Sequence, residues 1–199
     1  MTKTLLSTNF VKHTSKNPIQ KFLIKNFYSS LISLIKPLKA ESILDTGCGE
    51  GFTMDKLAKL GIGKKIEGIE YSKEAISFGK KLFPNLIIKQ ASIYDLPYKD
   101  NSFDLIICTE VLEHLEDPAK ALREMLRVSK KYIILSVPNE PLFMIGNFLR
   151  GKNVSRFGND VGHINHWNPL SFKKYLGKNG LMIEKVKLPF PWIIIMGTK

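Results

Sequence analysis

The 199 residues suit one domain with a sizeable core, and the 44% hydrophobic and 24% charged fractions are those of a globular protein. No apolar run approaches the roughly 18 residues of a membrane span, Met1-Thr2-Lys3-Thr4 leads into no secretory stretch, and Cys48 and Cys108 are too few for a disulfide framework; a cytoplasmic setting is expected. The net charge of +12 favours acidic partners such as RNA, anionic lipid head groups or an anionic small molecule, but the lysines are spread along the chain rather than gathered in a basic tail.

Residues 1–17 read as polar and irregular, with His13 a candidate lid residue. Asn17 suits a helix N-cap, with Pro18 at the first helical position and Gln20 placed to complete a capping box. Ile24, Phe27, Tyr28, Leu31 and Ile35 then recur at helical spacing, which predicts a packing helix over about 17–36, stopped by Pro37. A strand from Ser42 to Asp45 runs into Gly47-Cys48-Gly49-Glu50-Gly51, and a helix follows from about Phe52 to Leu60. Lys65 to Glu70 reads as a strand, Lys73 to Phe83 as a helix, and Leu86–Lys89 and Phe103–Cys108 as two more strands. Pro118 opens a helix to about Val128, and Tyr132–Val137 is a fifth strand. Residues 138–168 break the rhythm as a long insertion. A helix from about Pro169 to Lys178 and two apolar runs, Leu181–Val186 and Trp192–Met196, close the chain, with Pro189 and Pro191 between the runs. The expected architecture is a single α/β domain: a Rossmann-like, doubly wound, seven-stranded, mostly parallel sheet with an antiparallel C-terminal hairpin.

A strand, a glycine loop and a helix together let the backbone approach a ligand closely and present free N–H groups to it. Glu70, about 20 residues on at the end of the next strand, is placed to bind ribose hydroxyls. Dinucleotides prefer G-x-G-x-x-G, whereas this loop reads G-C-G-E-G-F and carries Glu50, a poor neighbour for pyrophosphate. NAD-dependent oxidoreduction is therefore disfavoured. S-adenosylmethionine (SAM) has no phosphate and carries positive charge, so Asp45 beside the loop is useful to it.

These residues resemble the class I SAM-dependent methyltransferases. Ile43-Leu44-Asp45-Thr46-Gly47-Cys48-Gly49-Glu50-Gly51 looks like the family's first motif, and Gly68-Ile69-Glu70-Tyr71-Ser72 like its second. Asp95-Leu96-Pro97-Tyr98, Asn101-Ser102-Phe103-Asp104, Glu110-Val111-Leu112-Glu113-His114-Leu115 and Val137-Pro138-Asn139 continue the match in order. The resemblance implies that Asp45, Gly47, Cys48, Gly49 and Gly51 frame the methionine end of SAM. It implies that Glu70 binds the ribose, that Tyr71 packs beside the adenine, that Ser92 and Ile93 lie at the adenine edge, and that Thr109 lies near the methyl group. Ser92 stands where the family often has Asp. The segment Glu110…Glu113-His114 with Pro138-Asn139 looks closest to ubiquinone-biosynthesis-type O-methyltransferases.

Removing a proton from a hydroxyl acceptor suits a histidine, and His114, His163 and His166 are the catalytic candidates. Glu110, Glu113 and His114 would share one face if helical, as an acid–base cluster or a metal site; with no further ligand assigned, no metal is expected. In the insertion, Phe143, Phe148, Phe157 and Trp167 would wall an apolar acceptor, and Arg150, Lys152 and Arg156 would meet an acidic one. The expected activity is methyl transfer from SAM, leaving S-adenosylhomocysteine, to an oxygen of a small or lipid-like molecule. RNA or protein acceptors, and a non-catalytic SAM-binding module, stay open, as does the oligomeric state.

Overall fold

A computed structural model describes residues 8–149, 151, 153–160 and 162–199. Arg150 and Lys152, named above for an acidic acceptor, and Met1 to Thr4 lie outside them. Seven strands, β1 (Ser42–Thr46), β2 (Lys65–Glu70), β3 (Ile87–Gln90), β4 (Phe103–Thr109), β5 (Ser129–Pro138), β6 (Met182–Lys187) and β7 (Trp192–Thr198), form one sheet in the order β3-β2-β1-β4-β5-β7-β6. The first five run parallel, and β7 lies antiparallel between β5 and β6. Among the described residues, seven α-helices accompany them: α1 (Thr8–Thr14), α2 (Pro18–Ile35), α3 (Phe52–Lys59), α4 (Lys73–Leu82), α5 (Pro118–Val128), α6 (Glu140–Leu149) and α7 (Pro169–Lys178).

Period-two alternation of apolar residues gives each central strand two buried faces. Ile43, Leu105, Ile107, Ile134 and Ile194 point to the layer of α2 and α3, where Phe27, Tyr28, Leu31, Leu34, Ile35 and Leu57 meet them. Leu44, Ile106, Cys108, Ile133, Leu135 and Ile193 point the other way, onto Ala121, Leu122 and Met125 of α5 and Phe172 and Leu176 of α7. At the amino edge, the Asp104 carboxylate accepts bonds from the Glu41 and Ser42 N–H groups and the Ser42 hydroxyl, and pairs with Lys130. Burial works against its charge, but Lys130 and Ser42 outweigh burial and hold the carboxyl well below the usual range.

Three expectations are corrected. Residues 8–14 are helical rather than irregular. A seven-residue helix is too short to stand alone, and this one exists through contacts with Phe52 and Phe78 that local pattern cannot reveal. The insertion is not a plain loop, because residues 140–149 form α6; the run Pro141–Leu149 is apolar on nearly every side and carries no stripe to betray it. Asn17 caps α2 through the Ile19 and Gln20 N–H groups, but no return bond from the Gln20 side chain appears among the described residues.

Candidate active site

The carboxyl ends of β1, β2 and β4 converge on the glycine loop. Gly47, Gly49 and Gly51 all have left-handed backbone, with φ of 75°, 55° and 93°. The Gly47 and Cys48 N–H groups bond the Ile69 carbonyl at 2.9 and 3.0 Å, tying the loop to β2. Two glycines outside the loop seat it from behind. A Cβ on Gly68 would lie 2.6 Å from Cys48 Sγ and 2.5 Å from Met54 Sδ, and one on Gly79 would lie 2.6 Å from the Glu50 carbonyl oxygen. Cys48 itself packs inward against Met54, Ile76 and Ile88, so only its backbone can line a ligand; burial pushes its thiol pKa up.

Asp45 is buried, and neither carboxylate oxygen has a hydrogen-bond partner among the described residues. Burial, and then the charge of Glu70, raise its pKa to about 7. Glu70 is held in place: Oε1 accepts from the Tyr71 and Ser72 N–H groups at 2.8 Å each, and Oε2 from the Gly49 N–H at 3.0 Å. The Tyr71 ring is exposed, Ser92 Oγ accepts from the Tyr94 N–H, and Ile93 is buried. Thr109 ends β4 opposite Ser136.

Helix α1 reaches across this cleft. Asn9 donates to Glu50 and lies directly over Gly49. His13 stacks on Phe52 at 4.3 Å, and burial followed by Lys12 and Lys56 lowers its pKa to about 3. Lys12 comes 3.7 Å from Glu110 and lies over the Trp192 ring. Sequence reasoning missed this helix.

Glu110, Glu113 and His114 do not share a helical face. Glu110 has φ of 59°, which a continuous helix excludes, and only Leu112–His114 make a short 3-10 turn. The Glu110 carboxylate is spent on the fold, accepting from Ser136 Oγ at 3.1 Å and Trp192 Nε1 at 2.5 Å.

Instead, Glu113 and His114 meet the insertion. Ile164 and Asn165 N–H groups bond the Glu113 carbonyl, and Asn165 Nδ2 bonds the Leu112 and Leu115 carbonyls at 3.1 and 2.6 Å. Glu113, His114 and His163 thereby bring one ligand atom each within 4.8 Å of one another. His163 Nδ1 lies 2.6 Å from Glu140 Oε1 and His114 Nδ1 lies 2.7 Å from the Gly162 carbonyl. A carbonyl can only accept, so His114 Nδ1 carries its proton; an ionised Glu140 demands the same of His163. Each ring then keeps its Nε2 lone pair for other work. Glu113 Oε2 and Glu140 Oε2 are buried without a hydrogen-bond partner among the described residues. Burial, then the charge of Glu110, push the Glu113 pKa up. His166 is exposed, 3.7 Å from Glu140. Glu140, on the helix that the sequence concealed, is the organising residue that sequence reasoning missed. Of the four aromatics expected to wall an acceptor, Phe143 lies against His163 at 5.3 Å, Trp167 belongs to the core with Phe172, and Phe148 and Phe157 face outward.

A family model described as a methyltransferase domain matches residues 44–135. A probable SAM-dependent methyltransferase of Mycobacterium tuberculosis is 31% identical over 109 residues, which are 54% of this chain and 39% of that protein. A ubiquinone biosynthesis O-methyltransferase of Albidiferax ferrireducens is 33% identical over 98 residues, 46% of this chain and 38% of that protein. The chain thus spans about two fifths of the length of these curated relatives. A solved Pyrococcus horikoshii protein has the same fold, with a TM-score of 0.76 at 18% identity over 95% of each chain.

Proposed function

We propose that the chain, which resembles SAM-dependent methyltransferases through residues 44–135, is a class I SAM-dependent methyltransferase and methylates an oxygen of a small or lipid-like acceptor. The observation that carries this reading is a pair of oriented imidazoles, His114 and His163, beside the cofactor cleft, with Glu140 behind the second.

The residues present fit the cofactor. Asp45 offers two buried, unbonded oxygens to positive charge. The left-handed glycines expose backbone where side chains would intrude. Glu70 Oε2, engaged once, keeps an acceptor site for a ribose hydroxyl. In this reading Asp45, Gly47, Gly49, Gly51 and the Cys48 backbone hold the methionine end. Glu70 holds the ribose, Tyr71, Ser92 and Ile93 border the adenine, and Thr109 lies near the methyl group.

SAM supplies an activated methyl group. The chain's own part is to hold the acceptor in line and take its proton. His163 Nε2 is the assigned base: Glu140 fixes its tautomer and stabilises the charge it gains. His114 Nε2 is the alternative base, and exposed His166 contributes through Glu140.

Geometry favours a second reading of the same cluster: Glu113, His114 and His163 as ligands of a divalent cation. A cation held there would assist deprotonation as a Lewis acid. Calorimetry with Mg²⁺, Mn²⁺ and Zn²⁺ tests it directly, since binding should vanish in Glu113→Gln, and chelator should then abolish turnover.

S-adenosylhomocysteine release, measured with a panel of hydroxylated and lipid-like acceptors, tests the main reading. His163→Ala should lose transfer and keep SAM affinity. SAM binding without turnover on any acceptor would leave a binding module, and salt-sensitive methylation of RNA would move the acceptor to that class.

A further inference from the structure

Helix α6 has a face that nothing in the described chain covers. Leu142, Ile145, Phe148 and Leu149 recur on one side of it, and Leu149 is 79% exposed. The turn after it adds Phe157, 77% exposed, and together with Pro141, Met144, Ile145, Phe148 and Leu149 it lines a groove of about 350 Å³ without a single hydrogen-bonding side chain. This face is braced. Asn147 Nδ2 bonds the Gly158 carbonyl at 3.1 Å, and Gly158 lies so close that a Cβ there would stand 2.0 Å from the Met144 carbonyl oxygen. A second apolar segment shares the edge: Leu188 and Phe190 are exposed just before β7, where the Asn139 N–H bonds the Pro191 carbonyl at the root of α6.

The exposed charges beside the two apolar segments are cationic. Glu140 is buried against His163, the next carboxylate after it, Asp160, is half-buried and accepts from the Gly162 N–H, and no Asp or Glu follows Glu184. Arg156 and Lys187, both exposed, border the two segments of a chain with net charge +12. A symmetric contact between two copies would bring these exposed cations together, while Asp160 is engaged by the Gly162 N–H. An apolar helix face with a cationic margin is the physical description of a helix that lies in a lipid interface.

We infer that α6 and residues 188–190 seat the mouth of the site on an anionic bilayer surface. The apolar side chains enter the head-group boundary while Arg156 and Lys187 meet lipid phosphates. The inference does not require the acceptor to be a lipid.

Co-sedimentation of the full chain with phosphatidylcholine vesicles, with and without phosphatidylglycerol, tests it. Binding should be at least about tenfold tighter to the anionic vesicles and should weaken with salt. Phe148→Glu with Leu149→Glu should lower it by about tenfold or more, with circular dichroism unchanged because both side chains are exposed. Phe157→Glu alone gives the same direction should the double variant misfold. Absence of binding to phosphatidylglycerol vesicles overturns the inference, as does equal binding by the variants. A concentration-dependent dimer that the variants abolish overturns it too, because the face then belongs to a second copy.

Discussion

The two halves of the carboxyl edge are built on different principles. The half from β1 to β4 makes its cleft largely from backbone: a glycine loop with one buried aspartate before it, and a glutamate 21 residues from Gly49 that is pinned by three backbone N–H groups. The half beyond Glu110 makes its cluster from side chains about 50 residues apart, Glu113 and His114 on one segment and His163 on another, with Glu140 between. A cleft held by backbone depends on the path of the loop and on what packs behind it. A cluster held by side chains depends on each of them.

Changes on the side-chain half should therefore be the costlier for turnover. Glu113→Gln or His163→Ala should lower turnover by about a thousandfold, in the range of lost acid–base or metal assistance, with SAM affinity unchanged by calorimetry. Loss of SAM binding instead would merge the two halves into one site.

Glu70→Ala should act oppositely, weakening SAM binding by roughly 1.5–3 kcal/mol, the range for hydrogen bonds to a charged group. An unchanged affinity in a folded variant would displace the ribose site.

A smaller effect concerns protons. The folded Asp45 carboxyl keeps its proton up to about pH 7, whereas unfolded it loses it near 3.8. Folding therefore takes up a proton in that window, so this group's contribution to stability falls as pH rises from about 4 to 7 and is flat above. Asp45→Asn should remove that slope from pH-dependent melting curves. A cationic ligand beside Asp45 draws the pKa back down, so SAM binding below about pH 7 should release a proton. Calorimetry in buffers of different protonation heat would show no difference if Asp45 does not face the ligand.

The least effect is expected away from both halves. Asn168 caps α7 by accepting from the Leu170 and Ser171 N–H groups at 3.0 and 2.9 Å. Asn168→Ala should cost about 1 kcal/mol in chemical denaturation and leave binding and turnover alone.

This division also decides what could be read from the sequence. The strand, glycine loop and Glu70 are legible because each follows from neighbours in the chain, and the parallel sheet follows from their alternation. The prediction that Pro189 and Pro191 separate two hairpin strands is met by β6 and β7. The pairing of His163 with Glu140 was not legible. It depends on α6, whose apolar residues leave no periodic signal, and on Asn165 bonding the loop that holds Glu113. His114 and His163 were each marked as candidates, but only the fold brings them together. Helix α1 was hidden for a related reason: its partners Phe52, Phe78 and Glu110 lie 40 to 100 residues away.

Gly68 and Gly79 touch the back of the glycine loop rather than its open side. In a mutational selection for methyl transfer, even alanine at either position would push on Cys48, Met54 or the Glu50 backbone and displace the loop. Both positions should thus be as intolerant as Gly47 or Gly49, and a map of tolerance drawn from such data would colour them as ligand contacts. Binding would tell the groups apart: bound SAM should slow hydrogen exchange across the glycine loop as a whole, and leave Gly79, within α4, at the rate its own helix sets.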